Sequence, residues 1–198
     1  MNTPTHILVG AAAFARPHKP WVTIAALLGG LVPDISLYVL AGWALFVQGI
    51  PPGIVFGTMY FSPEWMRVFS IDHGFLTWGA VLAFGIWLKR DWLLAFAGAG
   101  LLHAASDFLL HHDDARPQFW PLTDWVFKSP VSYWDSRYYG NIVAPLELAL
   151  AFFMCIVLWR RFQGVWPRVA IGATSAALMV PLVMWGYFLA GGGAVHMH

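Results

Sequence analysis

Charge is what this chain has least of: only 11% of its 198 residues are charged, against roughly a quarter in a soluble domain. Such a composition excludes an ordinary water-facing surface, and a hydrophobic content of 59% places the chain in a membrane. A field of either sign is missing as well. The net charge of +1 excludes broad attraction to nucleic acid or to an acidic partner. Cysteine is nearly absent: Cys155, alone in an apolar run, excludes an intramolecular disulfide and says nothing of compartment. No basic stretch precedes the first apolar segment, so a cleaved signal peptide is not expected. No internal repeat stands out, and the length fits one integral membrane domain over 1–198.

What is present is a series of apolar runs. Residues 7–15 make about half a membrane crossing, and 21–47 make a longer run interrupted at Gly29-Gly30-Leu31-Val32-Pro33-Asp34. Glycines followed by proline end or kink a helix, and Asp34 is expected to cap the piece that restarts at Ile35. Residues 48–70, rich in proline and glycine, read as a loop carrying a short helix. Further runs cover 73–88, 92–111, 142–159 and 169–190, the last with a kink expected at Pro181. The fold class expected is all-α, a polytopic helix bundle of five to six membrane segments with an aromatic outer-side loop over 112–141. If the segments alternate, Arg16, Lys19, Lys89, Arg90, Arg160, Arg161 and Arg168 share one side, which the positive-inside rule makes cytoplasmic. Trp21, Trp87, Trp92 and Trp159 fall near the same edge, as an interfacial belt requires.

Depth can be counted from that edge. At about 1.5 Å per helical residue, His6, Asp34, His73, His103, Asp107 and Glu147 all come to roughly 14–24 Å. An ionised side chain in a membrane costs about 2.5 kcal/mol or more, and such groups pair with one another or mark a functional path. His103 and Asp107 are one helical turn apart and share a face, and His111 continues it. Imidazole nitrogen and carboxylate oxygen together suit zinc first, with iron or manganese also compatible. A metal is the reading this layer favours; the alternative is a metal-free network of His–Asp and His–Glu hydrogen bonds. Asp72 and Ser106 are candidates for orienting the imidazoles. His111 is a candidate additional ligand, and Arg116, Trp120 and Arg137 are candidates for substrate binding in a loop that could act as a lid.

Several short motifs occur in a telling order: Thr5-His6 before Gly10, Leu31-Val32-Pro33-Asp34, a histidine opening the third long run, His103-x-x-x-Asp107, and Phe119-Trp120-Pro121-Leu122. Over roughly residues 5–125 this resembles the bacterial inner-membrane metal-dependent hydrolases, the LexA-regulated YdjM-like family. The resemblance implies the metal ligands His6, Asp34, His73, His103 and Asp107, and a phosphoester substrate. The chain departs from the family pattern at Ser36, where a second acid is usual, and around Gly74, where Arg and a further His are missing. The stretch 117–140 also looks like proteobacterial membrane proteins that carry a cobalamin-biosynthesis label, but no nucleotide or corrinoid motif accompanies it.

Two functions remain open on this reading. One is a multi-pass inner-membrane hydrolase that uses a divalent metal, zinc first, on a lipid-like or other amphiphilic ester, with Glu147 or Asp72 as general base. The other is a non-catalytic metal or proton carrier built on the same layer. The cytoplasmic halves of the segments hold almost no polar residues, which favours a dead-ended site.

Overall fold

The computed structural model describes the backbone of residues 1–189 and the side chains of residues 1–180; the kink expected at Pro181 falls outside those side chains. Among the described residues every regular element is helical, in the order α1 (Thr3–Phe14), α2 (Pro20–Gly42), α3 (Pro52–Ile54), α4 (Pro63–Asp72), α5 (Phe75–Leu88), α6 (Asp91–Leu110), α7 (Gly140–Arg161) and α8 (Val165–Leu189). Among the described residues four stretches are long and apolar enough to cross a membrane, Pro20–Val47, Pro63–Leu88, Asp91–Leu110 and Gly140–Arg161, with Val165–Val180 as a shorter apolar helix. That is fewer than the five to six segments expected. The difference has a plain cause at the start of the chain, where α1 has 12 residues and so reaches only about 18 Å across roughly 30 Å of hydrocarbon.

Prolines begin α2, α3 and α4, where a missing N–H costs nothing. Pro33 and Pro145 instead lie inside α2 and α7, and α2 runs through its glycine pair without a break. Asp34 is therefore an interior residue of that helix, and the cap expected there does not form. The 48–70 stretch holds more helix than a loop with one short piece. α2 continues as a π-helical turn over Trp43–Val47, a second such turn covers Val55–Met59, and α4 follows, with the Ser62 hydroxyl accepting from the Trp65 amide at 3.4 Å. α4 and α5 form one interrupted span, and the interruption is His73-Gly74.

α6 lies at the centre, packed on α1, α2 and α5; α1 also packs on α2 and α7, α4 on α2, and α8 on α7. Small residues make this possible, since close backbone approach is how apolar helices gain contact in a membrane. Ala95, Ala97, Ala99, Gly100 and Ala104 on α6 are all buried. A Cβ at Gly30 would stand 2.8 Å from both the His6 carbonyl oxygen and the Ile7 Cα, so glycine there lets α1 lie directly on α2. Large apolar side chains face outward instead, among them Phe46 at 87% and Trp87 at 74% exposed, as lipid contact demands.

The 112–141 loop is anchored on α6. The helix leaves its last carbonyls without internal partners. Leu109 accepts from the Ser129 hydroxyl at 2.5 Å, Leu110 from the Tyr133 amide at 3.0 Å and His111 from the Ser129 amide at 3.0 Å. Phe119 and Phe127 of the loop pack on Phe75 and Phe108.

Candidate metal centre

Four buried side chains from three stretches of chain converge: Asp34 of α2, His73 at the α4–α5 break, and His103 and Asp107 of α6. One ligand atom from each lies within 4.8 Å of the other three. The tautomers follow from hydrogen bonding. His103 Nδ1 is 2.9 Å from the Gly30 carbonyl oxygen, and His73 Nδ1 is 3.1 Å from that of Phe69. A carbonyl only accepts, so each Nδ1 carries the hydrogen when the ring is neutral and each Nε2 presents a lone pair. Those lone pairs meet carboxylates. His73 Nε2 is 3.5 Å from both Asp34 Oδ1 and Asp107 Oδ2, and His103 Nε2 is 3.5 and 3.4 Å from the same two atoms.

These separations test the fit to a metal. Donors at about 2.0–2.1 Å from a tetrahedral zinc stand about 3.3–3.4 Å from one another. The four nitrogen–oxygen separations match that edge, and they exceed an ordinary hydrogen bond. Neither Nε2 has a hydrogen-bond partner although both histidines are fully buried. The residues fit a divalent ion.

His6, the fifth expected ligand, sits beside the group and not within it. Its ring stacks on His103 with centroids 3.5 Å apart. Its Nε2 faces two acceptors, Asp107 Oδ1 at 2.9 Å and the Met1 carbonyl at 3.1 Å, so that nitrogen carries the hydrogen. Ser106, expected to orient an imidazole, brings its hydroxyl within 3.3 Å of His6 Nδ1. The two oxygens of Asp107 thus divide their work. Oδ1 is held by His6 and by the Met1 amino group at 2.8 Å, while Oδ2 faces the two histidine lone pairs and the Arg116 guanidinium at 3.4 Å.

His111 is also brought in, between two carboxylates: Nε2 is 3.2 Å from Asp107 Oδ1 and Nδ1 is 2.8 Å from Asp114 Oδ2. Burial opposes charge on its ring, but the two carboxylates outweigh it and raise its pKa above the usual value. Asp114 likewise is pushed up by burial but held below the usual carboxylate range by His111 and Arg116. Arg116 is wholly buried and donates to the Tyr60 hydroxyl at 2.8 Å, with its guanidinium over the Phe69 ring. Burial works against that charge, and Tyr60, Asp107 and Asp34 keep it protonated.

A cavity of about 400 Å³ opens beside the cluster, with Asp34, Asp107, His111, Asp114 and Arg116 in its wall. Other expected site residues lie elsewhere. Glu147 is buried on α7, where it accepts from the Asn2 amide at 2.6 Å, and it does not line the cavity. Asp72 does not line it either, and its main-chain carbonyl accepts from the Trp78 indole at 2.6 Å. Trp120 stays in the loop away from the cavity, and Arg137 is exposed, paired with Asp135 at 2.7 Å and Asp113 at 3.1 Å. The wall also takes Asp114, from the His111–Asp114 run that the sequence marks as a possible chelating cluster, and Tyr133 of the aromatic loop, whereas sequence reasoning missed Thr3, Tyr60 and the two carbonyls that set the histidine tautomers. The sequence carried no direct signal for the Gly30 contact, because Pro33 deprives the Gly29 carbonyl of its helical amide and not that of Gly30.

Compared with known protein families, with characterised proteins and with solved structures, the chain matched none.

Proposed function

We propose that the chain is a metal-dependent hydrolase of the inner membrane, of the YdjM-like kind its motifs resemble, acting on an ester or phosphoester of an amphiphile from the extracytoplasmic side. The observation that carries this reading is the convergence of two histidine lone pairs and two carboxylates at zinc-like spacing, beside a cavity that also holds a buried arginine. A divalent ion held by Asp34, His73, His103 and Asp107, zinc first, supplies Lewis acidity that acidifies water and polarises an ester oxygen. Arg116 keeps its guanidinium at the cavity wall, where its fork donates to an anionic oxygen of the substrate. Tyr60 and Phe69 fix the guanidinium plane. Of the carboxylates in the wall, Asp114 lies outside the four-residue cluster, and its Oδ1 has no partner. It takes the general-base role in place of Glu147 and Asp72, accepting the proton of the attacking water.

An ion pathway is the other use of such a layer. The packing towards the Asp91 end of α6 speaks against it, because Leu8, Ala11, Val22, Ala26 and Ala95 form an apolar core there and the hollow at that end, bordered by Val22 and Ala95, has none of the cluster residues in its wall. The test is metal content and hydrolysis measured together. Protein purified without chelator and supplied with zinc should hold the ion and cleave a chromogenic phosphoester or ester in detergent. Stripping the ion should remove both. Bound metal with no hydrolysis across a broad ester panel would move the chain to the carrier class.

A further inference from the structure

The cavity beside the metal cluster has a neighbour. A second hollow of about 470 Å³ lies between α8 and the α1–α2 pair, and its walls are almost wholly apolar: Leu27 and Leu31 of α2 face Ile171, Ala177 and Leu178 of α8. Both volumes fall within the roughly 300–1,000 Å³ of ordinary ligand pockets. The two hollows share three wall residues, Thr3, Pro4 and Tyr38, and so meet along one edge.

That shared edge is chemically graded. The Thr3 hydroxyl donates to Asp34 Oδ2 at 2.5 Å, so its oxygen receives the Tyr38 hydroxyl hydrogen across 2.7 Å. Tyr38 therefore points its polar tip along a hydrogen-bonded chain to a cluster carboxylate and leaves its ring for apolar contact. A tyrosine with one wet and one greasy end marks a boundary between head and tail. On one side stand Arg116 and the charged cluster; on the other stand aliphatic side chains and Thr174, whose hydroxyl is spent on the Ala170 carbonyl.

We propose that this groove holds the hydrocarbon tail of an amphiphile whose anionic head occupies the cavity beside Arg116 and the Asp/His cluster. The occupant is argued from the shared wall: Thr3, Pro4 and Tyr38 border both hollows, so a chain laid over the Thr3–Tyr38 pair runs from the head cavity into the groove. The inference rests on reading the cluster as the centre that receives the head, and it adds the substrate class: one anionic head on a long chain, lying between α2 and α8. It also assigns α8 a role, because this helix packs on α7 and closes the groove against α1 and α2.

The test uses two probes on the purified full chain in detergent: hexadecyl phosphate and hexadecanol, each with a diazirine at the chain end. After photolysis, the phosphate probe should label peptides covering Leu27, Leu31 or Ala177 about tenfold more than the alcohol, the factor one charge-assisted hydrogen bond supplies. Ala177→Trp and Leu27→Trp, both at exposed positions, each fill the groove and should abolish that difference while metal content stays at the wild-type level. Excess inorganic phosphate should displace the probe only weakly. Equal labelling by the two probes would mean ordinary membrane lipid only, and would overturn the proposal. Labelling elsewhere, labelling insensitive to both tryptophans, or full displacement by equimolar inorganic phosphate would overturn it too. Selective groove labelling of wild-type protein that holds no metal would overturn the hydrolase reading and leave the groove standing.

Discussion

His103 on α6 sets its Nδ1 2.9 Å from the carbonyl oxygen of Gly30 on α2, and that contact decides which ring nitrogen faces Asp34 and Asp107. The contact joins sequence to chemistry through one glycine. Gly30 offers its carbonyl to His103, and the absence of a side chain there lets α1 bring His6 onto the His103 ring. The Asp/His cluster is therefore built by backbone geometry as much as by its four side chains.

The first expectation concerns the ligands themselves. Asp107→Asn keeps the shape of the side chain but removes the charge a cation needs. Stability should fall with or without a metal, because the Met1 amino group and the buried Arg116 guanidinium lose their shared carboxylate. Metal content is what marks a metal centre: measured by elemental analysis, it should fall by more than the roughly 10–100-fold typical of losing a supporting partner. His103→Ala should do the same. Full metal content in both variants, with the fold intact, would rule out this cluster as the binding site.

Much of this was legible in the sequence, for identifiable reasons. Intramembrane Asp and His are rare and costly, so Asp34, His73, His103 and Asp107 stood out, and counting rise per residue brought them to one depth. Depth does not fix azimuth. Glu147 shares the layer but lies on α7, which meets α1 and α8, and it serves the chain start at Asn2. His6 shares it too, yet its tautomer depends on a carbonyl that no pattern reveals. The continuous course of α2 through Pro33 escaped for a similar reason, because packing of α1 and α6 on both sides holds straight what proline alone would break. Arg116 was found as a cation in an aromatic loop, while its burial against Tyr60 and Phe69 came only from tertiary structure.

Gly30→Ala should test the α1–α2 approach. Its Cβ would fall 2.8 Å from backbone atoms of His6 and Ile7, which cannot yield as a flexible side chain does. Overpacking of this kind costs about 1–3 kcal/mol. Gly42→Ala is the control: nothing lies within 4 Å, its φ is −61°, and the change should stabilise by about 0.4–1 kcal/mol. Unfolding midpoints in detergent should move in opposite directions, and metal affinity should fall only for Gly30→Ala.

Tyr60→Phe should separate support of Arg116 from metal binding. The hydroxyl accepts from a buried guanidinium at 2.8 Å and takes no part in the four-residue cluster. Losing a hydrogen bond to a charged group costs about 1.5–3 kcal/mol. Denaturant titration should show that loss while elemental analysis finds metal unchanged. A fall in metal with no loss of stability would show that Tyr60 acts on the cluster instead.

The 112–141 loop should loosen in acid. Asp135 accepts from the Arg137 side chain and, at 2.9 Å, from its amide, and these hydrogen bonds hold its carboxyl below the usual range. A depressed folded-state value gives stability that is present above about 3.9, the unfolded carboxylate value, and lost as pH falls through the folded one. Hydrogen exchange at the Tyr138 and Gly140 amides, both bonded to the Asp135 carbonyl, should lose protection in that lower window. Asp135→Asn should already be less protected at neutral pH and should converge on wild type in acid. A constant gap at every pH would remove the charge from the explanation.

The last expectation concerns which way the site faces. The basic residues gather at one end of the bundle: Lys19 and Arg16 both pair with Asp91, and Arg161 donates to the Ala15 carbonyl at 3.2 Å. The His111–Asp114 pair and the anchored loop lie past the opposite end of α6. If the basic end is cytoplasmic, the cavity opens outward and its substrate arrives from the outer leaflet. Cys155 is buried, so engineered cysteines can report without being masked by it. Leu122, 79% exposed at the loop, marks one side, and exposed Gln163, in the turn between α7 and α8, marks the other. In intact cells an impermeant maleimide should react with Leu122→Cys and spare Gln163→Cys until the membrane is opened. Reaction at Gln163→Cys alone would invert the topology and put the entrance of the metal centre on the cytoplasmic side.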